Sequence, residues 1–204
     1  MAIWKDNGIV LSERKHGENY KIIDIFTHSH GIISSLANVS KFQRFAKLSS
    51  VKIEHISKDN FSIGFWKLLD EKQNYIYVIK SEKRMIVCQG ICFALKKTLP
   101  QGVPHTRLFA FVEDFITSID DFSDKDVLTL YAYFEFLLLE ETGYSVVLNN
   151  NSPKLWNSWK NGKIFAERTV ECIKNSLNQT GVNLSKHLIS IDNYFRSLII
   201  KSIA

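Results

Sequence analysis

Few side chains in this chain stand where they could do chemistry. His28 and His30 are two apart, a spacing that puts two rings on one face of a strand, as a metal pair requires. They fall in a polar turn, His28–Gly31, with no acid or cysteine partner evident in the sequence, and read as turn histidines. Cys88 and Cys92 are four apart within a helical pattern and share one helix face. A zinc site would need two more soft ligands; none is evident, so both read as small buried hydrophobes. With Cys172 they make an odd, sparse set that argues against a disulfide framework. The acid pairs Asp120–Asp121 and Glu140–Glu141 fall at a helix approach and a helix end and read as solvated charge. There is no phosphate-cradling glycine loop, no GKS or GKT, no serine-centred elbow and no HExxH. These residues assemble no active site, so neither an enzyme nor a cofactor is expected.

What remains is basic residues interleaved with aromatics. Arg14, Lys15 and Lys21 lie in the first quarter of the chain, and Lys41, Arg44 and Lys47 follow three apart around Phe42 and Phe45. Such a set binds a nucleic-acid strand by neutralising phosphates and stacking bases on exposed rings. Phe42 is the expected stacker, while Phe45 reads as a core plug. The net charge is +5 at pH 7, unevenly placed. Residues 1–80 carry +4, 81–112 carry +4, 113–141 carry −8 and 142–204 carry +5. A basic first part, an acidic helical stretch and a basic tail suggest one face for a polyanion and another that is not.

The elements that must position these residues change period near residue 80. Ile3–Ser12, Tyr20–Thr27 and Gly31–Asn38 are short runs rich in Ile and Val, separated by the polar turns Arg14–Asn19 and His28–Gly31. They read as an antiparallel meander. Val51–Ile56 and Phe61–Leu69 alternate with a period of two, and Asn74–Lys80 is a last extended run or the approach to a helix. About five strands in 80 residues fit a small closed barrel such as the OB-fold. Helical spacing follows over Glu82–Leu99 (ended by Pro100, Gly102 and Pro104), Thr106–Ile119 and Asp124–Thr142. Ser123 with Asp126 is a capping-box-like start and Gly143 a good C′ residue. The third helix is apolar on nearly all sides, which suits the centre of a bundle. Two further helices are expected at Phe165–Gln179 and Leu184–Ile203, after a turn-rich segment, Pro153–Gly162, that holds Trp156 and Trp159. The expected fold class is α+β: an OB-fold barrel over 1–80, then an all-helical domain over 81–204. No apolar run is long enough to span a bilayer. The N-terminus has no charged start followed by an apolar core, so no signal peptide is expected and a cytoplasmic location is the default.

The order of these features resembles a known family. Gly8-Ile-Val-Leu11, Gly17-Glu18, Phe26-Thr27 and His30-Gly31 look like the N-terminal signature of the bacterial recombination mediator RecO. Tyr133-Phe-Glu135, Leu137-Leu138, Glu141 and Gly143-Tyr144 look like its second signature, and Pro104-His105 before a helix fits as well. The resemblance implies an OB-fold followed by a helical domain and a non-enzymatic, nucleoid-associated role. It implies binding of single- and double-stranded DNA, annealing of complementary strands, and action with RecR to load RecA onto strands coated by single-strand-binding protein (SSB). It also implies that the helical domain takes the acidic SSB tail; Lys96, Lys97, Arg107 and Phe111 are the residues expected to do so. The family often has a cysteine cluster after the long helix. Tyr144–Ser152 contains no Cys, so no zinc is expected. The competing reading is an adaptor whose barrel binds a protein partner and whose acidic stretch, Glu113–Glu141, repels nucleic acid.

Overall fold

The structure is a computed structural model that describes residues 2–38, 46–58, 63–73 and 78–143. Among the described residues five strands, β1 (Ala2–His16), β2 (Tyr20–Thr27), β3 (Gly31–Asn38), β4 (Ser50–Ser57) and β5 (Phe65–Lys72), precede three helices. The helices are α1 (Glu82–Thr98), α2 (Thr106–Thr117) and α3 (Asp124–Glu141), with a 3₁₀ turn at Ile119–Asp121. The strands close into a barrel in the order β1-β2-β3-β5-β4. This is the five-stranded OB-fold barrel expected from the alternating runs.

β1 is long because it serves two partners. Ala2–Ile9 pairs with β4 and Gly8–His16 with β2, with a shift in register between Val10 and Ser12 that re-aims the strand. It therefore runs past the expected end at Ser12. Arg14 and Lys15, expected in a turn, lie opposite Ile22 and Lys21 on the ladder, and the turn is only residues 17–19. Backbone pairing continues there because the hairpin projects into solvent, where its side chains need not be apolar. β5 begins at Phe65 rather than at residue 61. Phe61, and 74–77 of the expected run Asn74–Lys80, lie outside the described residues.

The barrel core is Val10, Ile23, Ile25, Ala37, Val51, Ile53 and Trp66, with Trp4, Ile33 and Leu68 packed against it. The indole Nε1 of Trp66 donates to the Ile23 carbonyl at 3.0 Å, which satisfies the one polar atom of a buried ring. Toward one end the interior turns polar. Trp4 stacks on His30 (3.8 Å between centroids) and on His55 (4.7 Å). His30 Nδ1 lies 2.9 Å from Asp6 Oδ2, and His55 Nε2 lies 2.9 Å from the Ser35 hydroxyl. His55 is 7% exposed, and its Nδ1 has no hydrogen-bond partner among the described residues. Burial, and then the charge of His30, holds the His55 imidazole below the usual histidine range. Folding therefore favours neutral His55. That stability is complete above the ordinary histidine pKa and is lost as pH falls through the lower folded value. Thermal melting is expected to show a lower Tm at pH 5 than at pH 8, and His55→Gln to shrink the difference; an equal difference in the variant would exclude His55 as its source.

The chain falls into two compact units. The first holds residues 1–80 and 92–120, so 92–120, read from sequence as part of the helical domain, belongs with the barrel. The cause is the apolar face of α2, in which Leu108, Phe109, Phe111, Val112, Phe115 and Ile116 are buried; Phe109 meets Phe26 of β2 edge to face at 5.4 Å. The second unit holds 81–91 and the chain from 121 onward. Its described part pairs the start of α1 with α3, where Tyr131 lies against the backbone at Gly90, so closely that a Cβ there would come 3.2 Å from its hydroxyl. Arg84 Nη2 donates to the Phe122 carbonyl at 2.7 Å. In α3, Val127, Leu130, Tyr131, Phe134, Leu137 and Leu138 form a buried stripe, and Tyr133 and Leu139 extend it beyond one face. The chain ends α3 at Gly143 with φ +87, as a C′ glycine does. The helices expected at Phe165–Gln179 and Leu184–Ile203 lie outside the described residues. Cys88 and Cys92 are buried, and burial pushes the Cys92 thiol up to about 12, so it stays protonated.

Candidate nucleic-acid interface

Side chains directly opposite one another on a ladder share a face. One rung can be followed almost round the barrel: Ile3 opposite Ile56, Ile56 opposite Phe65, Phe65 opposite Leu36, Leu36 opposite Ile22, and Ile22 opposite Arg14. Ile3, Phe65 and Arg14 are exposed and the others half-buried, so this rung faces outward. Tyr20, two residues before Ile22, lies on the same face. Its ring meets that of Phe65 across β3 at 6.0 Å and 63°. Lys15 and Lys21 oppose each other on the other side of the hairpin. Lys21 is paired with Glu13 at 2.9 Å. Arg14 and Lys15 are exposed and form no ion pair among the described residues. Lys5 and Lys67 are occupied by Glu54, at 3.7 and 2.9 Å.

The next rung on this face is polar and covered. Ser12, Asp24 and Ser34 oppose one another on β1, β2 and β3, and α1 reaches over them with Lys96. Its Nζ lies 2.6 Å from Asp24 Oδ2 and 2.6 Å from the Ser12 hydroxyl. Ser12 and Ser34 donate to the two carboxylate oxygens at 2.6 and 2.7 Å. Burial alone would raise the Asp24 pKa; the bonds from Lys96, Ser12 and Ser34, with the charge of Lys96, outweigh it and hold the carboxyl below its usual value.

The structure thus brings together Arg14, Lys15 and Lys21. Lys47 lies apart: Leu48 N donates to the Val10 carbonyl at 2.8 Å, placing Lys47 by the shift in β1, about 13 Å along the strand from Arg14 at 3.3 Å per residue. Lys41, Phe42 and Arg44 lie outside the described residues. Of the residues expected to take the SSB tail, Lys97 and Arg107 are exposed, and Lys97 Nζ sits 5.8 Å from the centroid of the Phe93 ring. Lys96 is engaged with Asp24. Phe111 is a correction: it is 2% exposed, its ring stacked beside Phe115 at 6.3 Å, and it offers no face to a peptide because it belongs to the buried side of α2. Tyr20 and Phe65 escaped the sequence reading. The available signal was the pair Phe65-Trp66, since adjacent strand residues point to opposite faces and one ring of such a pair must face out.

The model of the family described as Recombination protein O N terminal matches residues 1–54, which include the basic hairpin. The DNA repair protein RecO of Ehrlichia chaffeensis is 30% identical over 173 residues, covering 80% of this chain and 70% of that protein. This chain belongs to the RecO family. The DNA repair proteins RecO of Cereibacter sphaeroides and Bradyrhizobium diazoefficiens are 29% and 26% identical over 159 and 152 residues, each covering 72% of this chain. The chain spans 62% and 59% of the length of those two RecO proteins. Among the described residues no helix is long and apolar enough to cross a membrane.

Proposed function

We propose that this chain is a DNA repair and recombination mediator that binds DNA through the basic hairpin of its barrel, anneals complementary strands, and acts with RecR to load RecA onto SSB-coated single strands. The observation that supports it most is the similarity to a DNA repair protein along 173 residues, together with Arg14 and Lys15, which are exposed, form no ion pair among the described residues and lie inside the part matched by the family model. Chemically the hairpin does one thing well. It holds fixed cations beyond the barrel wall, where phosphates can reach them and release their counterions. Neutralising phosphates on two strands at once lowers their mutual repulsion, which favours annealing.

The test is a fluorescence-anisotropy titration of a labelled oligonucleotide across a salt series. Affinity is expected to fall steeply with salt, and the slope to drop by roughly 0.7 for each phosphate contact removed in Arg14→Ala and Lys15→Ala. A folded double variant with an unchanged slope would remove the hairpin from the interface. No binding by the parent protein at low salt would favour a protein-binding adaptor. A strand-annealing assay with and without SSB tests the mediator step.

A further inference from the structure

We infer that Tyr20 and Phe65 form a notch that takes the face of an unpaired nucleobase, so that this end of the barrel distinguishes single strands from duplex. The inference rests on the proposed DNA binding and names the part of a strand that the site reads. Tyr20 and Phe65 are 37% and 45% exposed although they stand on strands that bury their other face. At 63° and 6.0 Å they meet edge to face and do not cover one another, so a third planar group can stack beside them without displacing either. Arg14 ends the same rung, three strands over from Phe65 and next to the strand that carries Tyr20. An exposed aromatic pair on the same face as the exposed Arg14 complements a planar base on a phosphate chain better than it does an apolar helix, which would leave that cation unused.

Each ring stands on a strand bonded to β3. The Leu36 N–H donates to the Gly64 carbonyl at 3.0 Å beside the Leu36–Phe65 register point, and Tyr20 is paired with Asn38. Each ring is held by its own strand and loses little freedom when a base stacks on it. In a duplex both faces of each base are already covered by its neighbours, so no face is free to stack on the rings. The cations then serve both DNA forms and the rings only one.

The experiment compares three ligands on the full chain: an oligo-dT, an abasic oligonucleotide of the same length, and a duplex. The parent protein is expected to bind oligo-dT roughly tenfold more tightly than the abasic strand, the size of one base–aromatic stack. Tyr20→Ala with Phe65→Ala is expected to abolish that ratio and leave duplex affinity unchanged. Tyr20→Phe with Phe65→Tyr keeps both rings and is expected to keep the ratio, which separates stacking from any effect on folding. Equal binding of oligo-dT and the abasic strand by the parent overturns the inference while leaving phosphate binding intact. Loss of duplex and single-strand affinity together in the alanine variant, or loss of the ratio in the ring-conserving one, overturns it too. Binding of none of the three ligands overturns both this and the proposed function.

Discussion

Gly31→Ala is expected to cost at least about 3 kcal/mol, enough to unfold a marginal domain. Gly31 opens β3 with φ +69, a left-handed conformation that costs an L-residue about 1–2 kcal/mol. The larger part is a collision. A Cβ there would lie 2.8 Å from the Val103 nitrogen, 2.5 Å from its carbonyl carbon and closer still to its oxygen. All are backbone atoms, so no rotamer change relieves the contact. The 101–103 segment cannot simply withdraw, because Gly102 N donates to the Ile32 carbonyl at 3.1 Å and Gln101 bridges to Ile32. Gly17→Ala is the internal control. Gly17 has nearly the same φ, +68, with nothing within 4 Å of the added atom, so that variant is expected to lose only the conformational cost. Urea unfolding of the two variants measures the difference; equal losses would show that the Val103 segment yields.

Lys96→Met is expected to destabilise the first unit by about 2–3 kcal/mol. It leaves the Asp24 carboxylate, 3% exposed, with only two serine hydroxyls. Asp24→Asn is expected to cost less, because the Lys96 side chain is 33% exposed and can turn to water. The double variant is expected to recover part of the loss, and the cycle isolates the pair. Asp24 titrates below its usual value in the folded chain, so its contribution is complete above the ordinary aspartate pKa and is lost as pH falls through the lower folded value. The penalty of Lys96→Met is therefore expected to shrink in acid, well below the histidine window. A penalty constant from pH 7 to pH 3 would show that packing, not charge, joins α1 to the barrel. A Lys96 variant made to probe peptide binding would report first on this attachment.

The sequence was most legible where burial dictates pattern. β2 and β3 begin and end where their Ile-rich runs do, and the shift from period two to helical spacing marks the end of the barrel. It was least legible where pairing continues without burial, as at Arg14–His16, whose polar side chains look like a turn but whose backbone completes the ladder. Long-range partners were invisible for a different reason. Nothing local to Asp24 or Lys96, 72 positions apart, announces that a strand and a helix share one ion pair, and Lys96 read instead as a free cation. Nor does the helical pattern of 92–120 say which neighbour it will pack on. The basic hairpin was found from composition alone, but its aromatic companions needed the register, because only pairing shows that Tyr20 and Phe65 come together over β3.

The barrel is not equally closed all round. Among the described residues β3 and β5 share a single register point, Leu36 with Phe65, and the Leu36–Gly64 hydrogen bond beside it, whereas every other neighbouring pair of strands is joined by a full ladder. Local unfolding begins where the fewest bonds must break, and among the described residues that is this seam. Tyr20 and Phe65 stand on opposite sides of it. A ligand held by both rings is a strap across the seam, and by mass action part of its binding energy reappears as resistance of the barrel to opening.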